Sequence, residues 1–203
     1  MQGLTADTLL LMEQVDLGVC DGVLIRNDPR RAAVILPGAF YVPAAPLLWF
    51  AGNVLDTAGW TVLQVWDRRR DNSDPERWVA ERFDAALSHI GNPDTILVVA
   101  KSITTLAAER AAELGLPGIW LTPLLNQSVV RSGLEAAAAT RLLAGGTADP
   151  TWDSGYAATL DNATIVEIPG ADHGLQFPGD HHASLDALRT VTDAIADFAA
   201  RLT

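Results

Sequence analysis

From residue 32 onward the chain alternates short runs of β-branched and aliphatic residues with longer stretches patterned for helices. Few folds accept such an order. Each strand that is followed by a helix must cross over to a parallel neighbour, and the result is a sheet with helices packed on its faces. The runs are Ala32 to Leu36, Trp60 to Trp66, Thr95 to Ala100, Gly118 to Thr122, Arg141 to Ala144 and Thr164 to Ile168. Most are nearly unbroken in hydrophobicity, as strands covered on both faces are. Leu9 to Val15 and Gly22 to Arg26 read as an antiparallel pair at the sheet edge.

Helix signals fill the gaps. Ala44 to Thr57 follows Pro43, and Asp74 can cap Pro75 to His89, where proline at the first helical position sacrifices no hydrogen bond. Ser102 or Ile103 opens a helix to Leu114 that stops at Gly115, with Pro117 barring continuation. Gln127 to Ala139, Ser154 to Leu160 and Ser184 to Leu202 complete the set. In the last of these, Leu185, Leu188, Val191, Ile195 and Phe198 recur at spacings of three and four, which predicts a core-facing stripe. No repeat, linker or low-complexity stretch interrupts the pattern, so residues 1–203 are expected to form one α/β domain.

Composition narrows the function. With 49 % apolar and 19 % charged residues, the chain can bury a sizeable core. A net charge of -11 opposes nucleic-acid binding, which needs a concentrated positive patch. Arg68, Arg69 and Arg70 form the one dense basic run, but Asp67, Asp71 and Asp74 surround it, and a solvated loop is the favoured reading over an anion site. The single cysteine, Cys20, rules out an intramolecular disulfide, and its apolar-alternating surroundings suit a buried small hydrophobe better than a nucleophile. The N-terminus lacks a basic region followed by an apolar run and a cleavage site, and no apolar run approaches the ~20 residues needed to span a bilayer. A soluble cytoplasmic protein, with neither nucleic acid nor membrane as partner, is the expectation. Thirteen of the 14 basic residues are arginine, which suggests a GC-rich bacterial source.

In open α/β sheets, ligands sit beyond the carboxyl ends of the strands. Those positions hold Pro37 to Tyr41, Trp66 to Arg70, Lys101 to Ile103, Pro123 to Asn126, Gly146 to Asp153 and Pro169 to Leu175. They include a serine, acids and a histidine. Ser102 stands where a strand turns into a helix, a turn that lifts its hydroxyl above the sheet and aims helix amides at it. The string Ala100-Lys101-Ser102 also ends like a phosphate-binding loop, but that loop needs glycines at Thr95 and Ala100. His181 and His182 are adjacent and offer no converging ligand set, so neither metal nor cofactor is expected.

The turn at Ser102 resembles the nucleophile elbow of the α/β-hydrolases, and the resemblance covers nearly the whole chain from residue 32. The family pattern is Gly-x-Ser-x-Gly, and this chain reads Ala100-Lys101-Ser102-Ile103-Thr104. Both glycines are replaced, and β-branched Thr104 is the larger departure. The family's chain order of Ser, Asp and His implies Asp149, in Gly145-Gly146-Thr147-Ala148-Asp149, as the acid and His173, after the last strand, as the general base. Asp149 is preferred to Asp153, which can cap the short helix, while Asp172 reads as a turn residue. The resemblance further implies an oxyanion hole from the amides of Ile103 and Ala39, with Gly38 permitting close backbone approach.

Lys101 is read either as a rim position or as a group that attracts an anionic substrate or lowers the hydroxyl pKa. Phe40, Tyr41 and Trp152, with Trp66 and Phe177, either line an apolar substrate pocket or pack in the core. Only Pro123 to Asn126 separate a strand from the next helix, too few residues for a helical cap. The expected fold is therefore a mostly parallel, doubly wound α/β-hydrolase sheet without a cap domain. The resemblance is closest to small lidless members akin to the dienelactone hydrolase and carboxylesterase branches. It implies a serine hydrolase that cleaves small soluble esters or related acyl compounds through Ser102, His173 and Asp149 and an acyl-enzyme. The alternative is a hydrolase-like fold kept as a binding or scaffold protein with weak chemistry, motivated by Thr104.

Overall fold

The computed structural model describes residues 12–69 and 74–202. Residues 9–11 of the first expected strand, and Arg70 and Asp71 of the basic run, lie outside the described residues. Among the described residues the chain order is β1 (Met12–Asp16), β2 (Asp21–Ile25), β3 (Asp28–Leu36), α1 (Pro46–Thr57), β4 (Trp60–Trp66) and α2 (Pro75–Ile90). Then follow β5 (Thr95–Lys101), a 3₁₀ turn (Ser102–Ala107), α3 (Ala108–Glu113), β6 (Gly118–Leu121), α4 (Ser128–Ala136), β7 (Arg141–Gly146), α5 (Ser154–Ala157), β8 (Ala163–Ile168) and α6 (His181–Ala200).

The strands form a sheet in the order β1-β2-β4-β3-β5-β6-β7-β8. The β1–β2 and β2–β4 pairs are antiparallel and the rest are parallel. Side chains alternate across a strand, so each apolar run feeds two cores. Val34, Leu36, Val98, Ala100, Trp120 and Leu143 point to a core closed by Trp78, Val79 and Phe83 of α2 and Val130 and Leu134 of α4. Ala33, Ile35, Leu97, Val99, Ile119 and Leu142 point to the other, closed by Leu48 and Leu55 of α1 and Val191, Ile195 and Phe198 of α6. The unbroken hydrophobicity of the strands follows from this two-sided burial.

Several boundaries depart from the sequence expectation for local reasons. Helix α1 starts at Pro46 rather than Ala44, because Pro46 takes the first helical position. Asp74 caps α2 as expected, accepting from Glu76 N. The helix expected to run straight from Ser102 begins instead as a 3₁₀ turn. Here the Thr105 hydroxyl donates to Ser102 O and the Thr104 hydroxyl lies 3.1 Å from Lys101 O, so side chains take carbonyls that a regular helix would use. Helix α6 starts at His181, capped by Asp180, so His181 and His182 belong to its first turn rather than to a loop. Leu185, expected in the core stripe, is 60 % exposed and lines a surface cavity instead. No helix of the described residues is long and apolar enough to cross a membrane.

The crossovers decide where a site can form. The connection from β3 leads to β4 on one side, whereas the next strand, β5, lies on the other side of β3. This reversal opens a crevice between the carboxyl ends of β3 and β5. Leu36 pairs with Ala100, so Pro37 to Ala39 run alongside Lys101 to Ile103.

Candidate active site

Ser102 follows the last residue of β5 with φ of 56°, a left-handed conformation that costs a non-glycine residue roughly 1–2 kcal/mol. Thr122 (φ 44°) and Leu175 (φ 55°) share that conformation. They stand just past β6 and in the loop after β8, beside the same end of the sheet. Strain of this kind persists where surrounding structure over-determines it, and it gathers at sites that must aim a side chain.

Thr104 explains how the elbow survives without its second glycine. Its side chain is buried, the Lys101 amide donates to Oγ1 at 3.0 Å, and that oxygen lies 3.3 Å from Leu36 O. The hydroxyl therefore bridges the elbow to the end of β3. A β-branched residue is accommodated here by hydrogen bonding, not by displacement of Ser102.

The loops after β7 and β8 bring the other two groups. Ser102 Oγ lies 2.7 Å from His173 Nε2, and His173 Nδ1 lies 2.6 Å from Asp149 Oδ2. Asp149 is buried, and its second oxygen, Oδ1, accepts from both the amide and the hydroxyl of Thr151 at 2.8 Å. Burial by itself would raise the Asp149 carboxyl, but the bonds from His173 and Thr151 outweigh it and hold the group below the usual carboxylate range. Glycines make room for this packing. A Cβ on Gly145 would meet the Trp152 ring at 2.0 Å, and one on Gly146 would meet Ala171 O at 2.2 Å.

No protein-family model and no curated protein matches the chain. Solved structures do. Est1E from Butyrivibrio proteoclasticus with ferulic acid bound superposes with a TM-score of 0.71 at 15 % identity, over 93 % of this chain and 98 % of its own. Dienelactone hydrolase from Anabaena variabilis gives 0.67 at 18 %, over 92 % and 94 %. XC6422 from Xanthomonas campestris, described as an α/β serine hydrolase without a lid, gives 0.59 at 19 %, over 92 % and 94 %. The chain has the α/β-hydrolase fold.

On this α/β-hydrolase scaffold the remaining expected site residues divide. Ala39 is half-buried and Phe40 is 86 % exposed, in a turn closed by Gly38 N donating to Tyr41 O. A Cβ on Gly38 would already lie 3.7 Å from Lys101 O, so this turn sits against the elbow and beside Ile103. Tyr41 lines a cavity of about 510 Å³ with Pro46, Leu47, Leu175, Phe177 and Leu185. That cavity adjoins His173 through Gly174.

Two residues expected to touch substrate lie elsewhere. Trp152 is buried in the core on one face of the sheet, where its indole donates to Glu167 Oε2 at 2.7 Å and its ring lies against Gly145. Lys101 is not at the rim: it is 2 % exposed, inside the loops that carry the site. Each correction has its own local cause. Trp152 fills the space that Gly145 leaves beneath β7, and Lys101 turns inward to Thr122 and the His173 carbonyl.

Of the lesser candidates, Asp153 caps α5 and pairs with Arg131 at 2.6 Å, and Asp172 accepts from Gly174 N and Gln176 N within its own turn. Burial, followed by the charge of Asp67, pushes the Cys20 thiol up to about 11, the opposite of an activated nucleophile. Among the described residues no cluster of His, Cys, Asp and Glu converges as a metal site would require. Thr151 escaped the sequence reading. Its place two residues after an aspartate, across Pro150, is an Asx-turn signal that points to it.

Proposed function

We propose that this protein is a serine hydrolase acting on small acyl compounds, esters first among them, with Ser102 as nucleophile, His173 as general base and Asp149 as the carboxylate that orients the ring. The observation that carries the reading is the continuous hydrogen-bonded chain from Ser102 Oγ through His173 to Asp149. A serine hydroxyl becomes a competent nucleophile when a neutral imidazole takes its proton.

In the proposed reaction Ser102 Oγ attacks the carbonyl carbon while its proton passes to His173 Nε2. The amides of Ile103 and Ala39 receive the oxyanion. Collapse expels the alcohol, which takes the proton back from His173 and leaves an acyl group on Ser102. Water then repeats the sequence, losing a proton to His173 and releasing the acid. The leaving group must depart next to His173, and the cavity beyond Gly174 supplies an apolar seat for it. Thr104 motivated the inactive-scaffold alternative, and its hydrogen bonds remove that motive. The reaction is placed in the cytoplasm, with neither metal nor cofactor taking part.

A fluorophosphonate probe tests the reading directly. Labelling of the purified protein, mapped by mass spectrometry to the peptide carrying Ser102, is expected; a protein left unlabelled under conditions that label a known serine hydrolase sinks the proposal.

Substrate length follows from how short the 122–127 connection is. Each CH₂ contributes about 0.8 kcal/mol only where protein covers it, so kcat/KM for p-nitrophenyl esters should rise by no more than about fourfold per carbon and level off near butyrate. No rate jump is expected above the substrate's micellar concentration. Steady improvement toward palmitate would contradict a site without a cap.

A further inference from the structure

Lys101 is the chain's single lysine, and its ammonium is enclosed. It donates to Thr122 Oγ1 at 2.9 Å and to the carbonyl of His173 at 3.2 Å, and it stands 4.6 Å from the centre of the Tyr41 ring. Two oxygens and an aromatic face are therefore within reach of its three N–H donors. Among the described residues no carboxylate pairs with it directly. A buried cation whose direct partners are all neutral is a costly way to fill a core, and an apolar side chain of similar length is often the more stable choice. Its partners give the arrangement a purpose. Thr122 ends β6 in a strained conformation, Tyr41 belongs to the turn expected to bind the oxyanion, and the carbonyl is that of His173 itself.

We propose that Lys101 is a positioning residue: its ammonium ties the backbone of His173 to the end of β6 and to the Tyr41 turn, and so holds the imidazole between Ser102 and Asp149. This rests on the serine-hydrolase reading of the same site. The charged groups that face the ammonium are Asp149 and Asp172, from the loops after β7 and β8. Tyr41 and the His173 carbonyl complete its surroundings, together with the uncharged Thr122 hydroxyl. Burial lowers the ammonium to about 8, against the opposing pull of Asp149 and then Asp172. Deprotonation therefore weakens the tie as pH rises through that value, and turnover should fall on the alkaline side.

The test compares wild type with Lys101→Met, which keeps the length of the chain but removes every donor. A loss of about 10- to 100-fold in kcat is expected, because a small misplacement of a reacting group has an effect of that size. KM should change by less than about twofold, and the alkaline limb of the pH profile should disappear. A variant with lowered Tm but unchanged kcat and pH profile would show a merely structural lysine and overturn the proposal. If Lys101→Met does not fold, Thr122→Val removes one acceptor while preserving shape. A several-fold lower kcat supports the tie, and an unchanged one overturns it. Nitrogen-15 spectra of the His173 ring separate this proposal from the parent reading, since they need no turnover. A ring signal broadened or shifted to the other tautomer in Lys101→Met supports the tie even if the wild type proves inactive, and an unchanged ring signal refutes it.

Discussion

Replacing Ser102 with alanine is expected to lower ester turnover by about five to six orders of magnitude, the size of loss that follows removal of a nucleophile acting as one unit with its base. Residual catalysis above the rate in water should remain, because donors and binding surface are still present. The fold has little reason to respond. The Ser102 hydroxyl bonds to His173, while the elbow is held by other groups: the Thr104 hydroxyl between Lys101 and Leu36, and the Thr105 hydroxyl, which donates to Ser102 O and accepts from Leu124 N. Alanine tolerates φ of 56° slightly less well than serine, so a cost of order 1 kcal/mol or less is expected beside an intact circular dichroism spectrum. Fluorophosphonate labelling should vanish with the turnover. Equal labelling of the variant would place the nucleophile elsewhere.

The second large effect is expected from Asp149→Asn, about 10⁴-fold in kcat. The local bonds dictate the direction. One carboxylate oxygen accepts from the Thr151 amide, which cannot reverse its role, so an asparagine would turn its own carbonyl there and present its NH₂ to His173 Nδ1. Nδ1 must then accept, the ring proton moves to Nε2, and Nε2 can no longer take the proton of Ser102. Asp153→Asn is the internal control: that side chain caps α5 and pairs with Arg131, and its loss should leave turnover nearly unchanged. Stability carries a matching signature. Because the Asp149 carboxyl is held below its ordinary range in the folded state, its ionised form stabilises the fold at and above that range. This contribution is lost as pH falls through the lowered value. The asparagine variant should lack that part of the acid-side slope in a chemical-denaturation series, and identical slopes would remove Asp149 from the network.

Much of this was legible in one dimension. Burial on both faces makes strand hydrophobicity continuous, so the parallel strands could be read directly, Trp60 to Trp66 to the residue. Strand ends drew attention to Ser102, because in an open α/β sheet ligands sit where strands stop, whereas Asp149 and His173 came from the chain order that the resemblance to α/β-hydrolases implies; the structure brings the three side chains within hydrogen-bonding distance. Helix ends were less legible, since side-chain hydroxyls at Thr104 and Thr105 compete for carbonyls in ways that periodicity does not record.

The sequence by itself determined the layering of the sheet and the strand-to-helix turn at Ser102, since both depend on local pattern and on strand ends. The tertiary structure alone decided which side chains face the site. Trp152 and Lys101 lie next to site residues along the chain, yet one packs under Gly145 and the other inside the ring of loops. Thr122 and Tyr41 meet at Lys101, and Thr151 reaches Asp149 and His173, only because β3, β5, β6, β7 and β8 end on one side of the sheet. Such meetings depend on register and on the close packing of loops over the sheet, which no spacing along the chain encodes.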